Sequence, residues 1–557
     1  MMFRALLAML MLVCVGLTAC SSAPSPQTVV QTVVVRETVV VEAAGATDVP
    51  VQPTPASSVV EPTIEQTFII AVGSDPGPLN PHDYASSFIA LDMVYEPLVR
   101  YAADGSIVPG LAESWQIAPD GLTWTFTLRK GVTFHDGTPF NAAAVKWNFE
   151  RWVQTERHNW LPSTTRIESV STTDDYTVVL KMKDFYYATI QDLALIRPVR
   201  FLSPASVGSD GSFGSPVGTG PWKLDDYTAQ QRASFVPNPS YWGEKPTLSK
   251  VVFEVIPDAQ TRIAALLSNE VDLIGGEYVG GISLESLPVL QRNPNVQIFT
   301  EPGTTGYFLQ MNFNEAPFND INVRKALNHA IDRETISSGL FGSIAAPAQG
   351  VFPESVPYVT YTGSELYRYD PTLAKKLLAD AGYASGADGM LAKDGKPLEL
   401  SLVVDSAMFP QAGAMAQVLQ AQLKEVGIAL KPRLLDYSGW IDAYSNKEYD
   451  LLMNITWGAP YDPHSSLTGV FSSASSATIA YSDPELDQLI TSAMATRDEA
   501  ERTQVFEQIW TRLDEQAAIA PLAYSSRVYA VRKGVEGFVM AGTEYELNLQ
   551  GIRISER

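Results

Sequence analysis

Asp462, His464 and Ser465 bring a carboxylate, an imidazole and a hydroxyl close together in sequence, the side-chain set a hydrolase uses to activate a nucleophile. Pro460 and Pro463 restrict the backbone around them, which favours a rigid loop over a catalytic one. The chain has no G-x-S-x-G elbow, no phosphate loop ending in Gly-Lys-Ser/Thr, no H-E-x-x-H and no paired C-x-x-C. The glycine cluster Gly214–Trp222 lacks a phosphate-holding lysine and contains Pro216 and Pro221, so it reads as a loop or strand entry. His82, His135, His158, His329 and His464 never recur at the spacing of a local metal site. A metal held wholly by protein ligands is therefore not expected, and no catalytic cofactor is implied.

A different chemistry is offered by Tyr84, Trp160, Trp457 and Tyr461, which sit in segments rich in Pro, Gly, Asn and His and follow neither helical nor strand periodicity. Aromatic rings on loops can line solute pockets, with ordinary loop packing as the plain alternative. The elements that would carry such loops are mixed. Trp124–Leu128 and Leu398–Leu402 alternate apolar with polar and predict half-buried strands, whereas Val251–Ile256 and Leu451–Ile455 are more continuously apolar and predict central ones. In Asp370–Gly382 an N-cap aspartate, a first-turn Pro371 and a terminal Gly382 punctuate a helix. Val323, Ala326, Leu327, Ala330 and Ile331 form one further apolar helical stripe, and Leu486, Leu489, Ile490, Ala493 and Met494 another. An α/β chain of several domains follows from this mixture and from a length of 557 residues, which exceeds one compact core.

Acidic residues outnumber basic ones 62 to 39, giving a formal charge of −23 that would repel a phosphate backbone, so nucleic acid is excluded as an expected partner. The N-terminus carries Arg4, an apolar run from Ala5 to Leu17, and then Thr18-Ala19-Cys20, the pattern of an export signal. Leu17-Thr18-Ala19-Cys20 is similar to a lipobox, which implies cleavage before Cys20 and lipidation of its thiol. Residues 1–20 are thus read as a leader. Residues 21–66, rich in Ser, Ala, Pro, Thr and valine runs, are read as a flexible tether. The other cysteine, Cys14, lies in the leader, so the mature chain could form no internal disulfide.

Pro78–His82, Met93–Val99, Trp124–Arg129, Gly218–Trp222, Asn238–Gly243 and Val323–Ala330 together resemble the large peptide- and nickel-binding family of ABC solute-binding proteins. Pro78–Tyr84, Arg157–Leu161, Arg197–Phe201 and Thr456–His464 resemble its nickel-binding branch most. The resemblance implies two α/β lobes around a ligand cleft, with lobe I at 67–306 including an extra subdomain, lobe II at 307–520, and 521–557 returning to lobe I. It implies a non-enzymatic, extracytoplasmic, lipid-anchored monomer that hands a small ligand to an ABC permease and its ATPase subunits. The expected cargo is nickel as a small-molecule chelate, with a dipeptide or oligopeptide as the alternative and a secreted hydrolase as a remote one.

The cleft positions carried over are Tyr84, Arg157, Trp160, Arg197, Trp457 and Tyr461. Guanidiniums can take carboxylates bidentately, and rings can enclose a chelate. Two departures stand out. The loop histidine of the nickel branch has no counterpart near Ser475, and Phe88 or Ile89 stands where that branch has a methionine. Either the chelator fills every metal position, or His82, His158 or His464 compensates, or the ligand is another anion or a peptide. Closure is expected about two crossings, near Gly303–Gly306 and near Ala520–Leu522.

Overall fold

The computed structural model describes residues 66–342, 344–361, 367–386, 389–406, 411–473 and 480–555. The leader at 1–20, Cys20, the tether up to residue 65 and Ser475 lie outside the described residues.

Among the described residues, ten strands form one mixed sheet, and its two ends gather separate cores. Thr67–Val72 runs parallel to Lys250–Val255, which also pairs antiparallel with Arg232–Pro237, so the mostly apolar Val251–Val255 segment is an interior strand. At the other end Leu451–Ile455 lies between Glu399–Asp405 and Val296–Met311. Both segments lose solvent on two faces, which is why neither alternates. A second sheet, of four antiparallel strands within residues 112–182, contains Thr123–Leu128. There Trp124, Phe126 and Leu128 are buried while the threonines between them are half-buried, the period-two pattern expected of a sheet with one covered face.

Helix ends follow local chemistry. Asp370 accepts the N–H groups of Thr372 (3.0 Å) and Leu373 (2.8 Å) at the start of Pro371–Asp380, and Gly382 leaves that helix with φ +91°. Asp320 and Asp483 cap Ile321–Ala330 and Pro484–Ala495 in the same way. Both of those helices bury the apolar stripes legible in sequence. Among the described residues no helix is long and apolar enough to cross a membrane.

Two long strands, Val296–Met311 and Ile519–Arg532, pair antiparallel through the middle of the large sheet. Their ladder is interrupted between Pro302 and Gly306, opposite Ser526 and Tyr524, and again between Tyr307 and Phe308, opposite Ala523 and Pro521. Pro521, with no N–H to donate, sits where a bulge tolerates it. Beyond these interruptions Tyr529–Ile554 joins the core of Phe68–Tyr95, whereas Tyr307–Met311 joins that of Leu398–Met453. One segment breaks this division. Tyr186, Tyr187 and Ala188, early in the chain, pack with Phe308, Phe471 and Phe506 from its later half.

Candidate functional site

The turn before helix Phe88–Val94 is wound by its own side chains. Asn80 Oδ1 accepts the His82 N–H and Asp83 Oδ1 that of Ala85, each at 3.0 Å, which presents Tyr84 and then Phe88. Helix Ala142–Val153, capped by Asn141, is followed by the 3-10 turn Glu156–His158 that carries Arg157. Pro162 opens the next helical turn, so Trp160 is held between two short elements. Arg197 is tied by Nη1 to the Ser86 carbonyl at 3.1 Å.

Trp457 comes from the later half, just after strand Leu451–Ile455. Its N–H donates to Ser466 Oγ and its carbonyl accepts from the same hydroxyl, both at 2.8 Å. The next residue must be glycine: Gly458 has φ +104°, and a Cβ there would lie 2.1 Å from that of Ser465. Gly469 leaves space for the Trp457 ring, which a Cβ would approach to 2.3 Å.

These segments enclose a cavity of about 450 Å³ lined by Tyr84, Arg157, Trp160, Arg197 and Trp457. Five of the six residues expected from sequence therefore converge. Tyr461 does not line it. Its hydroxyl donates to the Gly542 carbonyl at 2.5 Å and its ring meets Tyr101 at 5.7 Å, because the chain has turned away after Gly458. The remaining walls are Phe88, Leu195, Ile196, Tyr278, Gly458 and Tyr545. Phe88, Tyr278 and Tyr545 form a mutually packed aromatic floor with centroids 4.9 to 5.0 Å apart. None of these three was singled out as a pocket ring in sequence, although Phe88 was noted in place of a methionine, and Ile89 is the one of that pair that turns into the core.

Both guanidiniums face Tyr84, with Arg157 4.8 Å and Arg197 5.0 Å from its ring centroid, and Arg197 also covers Phe88 at 4.2 Å. Among the described residues neither has a carboxylate within ion-pair distance. Burial lowers the Arg197 pKa from its ordinary value, and the surrounding tyrosines and the more distant Asp83 carboxylate offset only part of that loss of water. Two cations facing one cavity repel each other until an anionic guest arrives.

A hydrogen-bonded chain orients the rings. Trp160 Nε1–H can only donate, and it donates to Tyr84 Oη; the Tyr84 proton then goes to His158 Nδ1 at 2.8 Å. This requires a neutral His158, and burial together with the Arg157 and Arg151 cations holds its pKa down at about 4. Trp160 and Trp457 meet edge to face at 6.0 Å and stay 38 % and 36 % exposed, so a solute can reach both.

The histidines named as substitute metal ligands serve elsewhere. His82 is buried, its Nε2 lies 3.1 Å from the Arg200 carbonyl, and burial lowers its pKa to about 3. His158 is committed to Tyr84. His464 is buried between Asp462, 2.7 Å from Nδ1, and Asp192, 2.7 Å from Nε2. Burial alone would lower its pKa, but the two carboxylates outweigh that and raise it to about 10. Among the described residues no group of three or more His, Cys, Asp or Glu is arranged to hold a metal ion.

Ser465 Oγ does lie 3.0 Å from His464 Nε2, completing on paper a hydrolytic triad with Asp462. An imidazolium paired on both nitrogens cannot take the serine proton, and the whole group is buried. The cluster is an ion network.

The description "Bacterial extracellular solute-binding proteins, family 5 Middle" matches residues 106–478. The nickel-binding periplasmic protein of Escherichia coli K12 is 34 % identical over 512 residues, covering 89 % of this chain and 96 % of the relative. The glutathione-binding protein GsiB of the same strain is 29 % identical over 491 residues, covering 84 % of this chain and 91 % of the relative. NikA from Brucella suis, solved with Fe(III)-EDTA, superposes with a TM-score of 0.83 at 33 % identity, over 88 % of this chain and 99 % of that one.

Proposed function

This chain belongs to the bacterial extracellular solute-binding proteins of family 5, the nickel- and peptide-type receptors of ABC importers, and from that premise we propose that it captures nickel as a carboxylate-bearing chelate. The observation that carries this reading is the pair of guanidiniums, Arg157 and Arg197, unmatched by any carboxylate among the described residues and turned into one aromatic cavity. Carboxylates of the chelator take the two arginines, the Trp160, Trp457 and Tyr84 rings enclose the complex, and the chelator itself fills the metal's coordination positions. The relatives named for nickel and for an Fe(III)-EDTA complex support a metal chelate as cargo.

A glutathione-binding relative supports a second reading, a short peptide. Its carboxylate would suit the same arginines, but its ammonium would find no acidic side chain on the cavity wall. The chelate needs none. In either case the guest touches Arg157 and Arg197 from the early half and Trp457 from the later half, which favours the closed arrangement about the two long strands and signals occupancy to the permease. Export, cleavage before Cys20 and a lipid anchor at that residue would hold the monomer at the outer face of the cell membrane.

Native mass spectrometry with elemental analysis on protein purified from its own host tests the cargo. Nickel with an added organic mass supports the chelate reading and identifies the chelator. A peptide mass without metal overturns it in favour of the second.

A further inference from the structure

A larger cavity, of about 750 Å³, adjoins the arginine cavity and shares Trp160 and Trp457 with it. One wall is the helix Tyr437–Asn446. Its Tyr437, Trp440, Ile441 and Tyr444 recur at i, i+3, i+4 and i+7 and so occupy one face. The rings lie nearly parallel, Tyr437 to Trp440 at 6.3 Å and 15°, Trp440 to Tyr444 at 5.3 Å and 24°. Trp440 is fixed by its Nε1–H, which donates to the Met453 carbonyl at 3.2 Å, while Tyr437 at the border of the cavity stays 63 % exposed. Trp440 is buried against Val403 and Leu452 with Ile441 and Tyr444 packed beside it, yet all four residues of this face also line the cavity.

The polar groups of this second cavity differ from those of the first. Arg166 is already paired with Asp184 at 3.1 Å and donates to the Pro162 carbonyl at 3.2 Å. Asn454 gives its amide N–H to Gln310 at 3.1 Å and accepts the Ile455 N–H at 2.9 Å. Asp405 lies at the end of strand Glu399–Asp405. Charge awaiting a partner is thus concentrated on one side of the Trp160–Trp457 pair and stacked ring surface on the other.

We propose that the second cavity is a ring-binding subsite, and that the solutes this protein prefers are carboxylates bearing an uncharged aromatic or heteroaromatic group at the far end. The carboxylates sit at Arg157 and Arg197, the ring lies past the two shared tryptophans against the Tyr437–Trp440–Tyr444 face, and one solute thereby contacts both halves of the chain. The proposal rests on the anion-binding reading above and names the solute class. A ring stacked there gains buried area and a favourable offset arrangement with rings already held in place.

Titration calorimetry of the intact chain with iminodiacetate and N-benzyliminodiacetate, each alone and as its nickel(II) complex, tests this. The benzyl ligand is expected to bind at least tenfold more tightly than its parent in whichever form binds, and Tyr437→Ala should shrink that ratio several-fold. A preference seen only with nickel assigns the subsite to metal chelates, and one seen without metal assigns it to free carboxylates as well. Equal affinities for the two ligands would overturn the subsite while leaving the anion site standing. A benzyl preference unchanged in both Tyr437→Ala and Tyr444→Ala would place the ring elsewhere and also overturn it. Failure of both ligands in every form would remove the anion site and this inference together.

Discussion

The Arg157–Arg197 cavity and the Asp192–His464–Asp462 cluster both gather charge, the first half-open to solvent and the second buried, and they end in opposite states. His464 has a carboxylate on each ring nitrogen, and Tyr187 Oη adds a further hydrogen bond to Asp462 at 2.5 Å. The two arginines have rings and a single carbonyl to face, and no carboxylate within ion-pair distance among the described residues. A charge with its partners in place holds a fold; one without them stores an interaction for something that is not part of the chain. The triad-like residues most suggestive of chemistry in the sequence are the satisfied set, and the arginines, ambiguous in isolation, are the open one.

The sharpest way to break this contrast is to remove one charge from each. His464→Leu leaves Asp192 and Asp462 buried and facing each other, so the chain should lose about 3–5 kcal/mol of stability, read as a lowered midpoint in urea. Arg197→Ala should weaken binding of a nickel chelate about a hundredfold, close to 2.7 kcal/mol, with little change in the thermal midpoint of the unliganded protein. A large destabilisation by Arg197→Ala would mean that its charge is already satisfied in the fold.

Acidity separates the two regions again. His158 is held at about 4, so below pH 6.5 the unfolded chain takes up a proton that the folded chain refuses. The stability that neutral His158 contributes is complete above pH 6.5 and is lost as pH falls towards 4, at about 1.4 kcal/mol per unit. His464 is held up at about 10, so its contribution is complete below pH 6.5 and is lost as pH rises towards 10. Half-buried carboxyls such as Glu277, pushed up to about 8 by desolvation, titrate across the same range, so the comparison is made between native and variant. The advantage of native protein over His158→Phe should narrow on the acid side, and that over His464→Leu on the alkaline side. Parallel curves would mean that neither histidine is held in the charge state described.

What sequence reveals here is what local chemistry decides. The cap at Asp370 and the alternation of Trp124, Phe126 and Leu128 are local, and they stand where the pattern puts them. Arg157, Trp160 and Trp457 stood out as loop residues within motifs resembling a known family. The aromatic floor did not, because Phe88, Tyr278 and Tyr545 come from three distant segments, and only the sheet brings them within 5.0 Å of one another. Asp192, the partner that neutralises His464 from 272 residues away, was invisible for the same reason. The Tyr437–Tyr444 stripe has the period of a core helix, and nothing in a period says whether packed side chains or a cavity will cover it.

Tyr461 gives the finest test, since it shares a loop with Trp457 and was grouped with it by resemblance. The positive φ of Gly458 redirects the chain, and the Tyr461 hydroxyl ends on the Gly542 carbonyl outside the arginine cavity. Tyr461→Phe removes that hydrogen bond and keeps the ring that packs on Tyr101. Stability should fall by about 1 kcal/mol, and chelate affinity should change less than threefold. If affinity fell as far as in Arg197→Ala while stability held, the hydroxyl would have to reach the ligand in the bound state. The loop after Gly458 would then rearrange on binding, and Tyr461 would move from the satisfied region of this molecule to the open one.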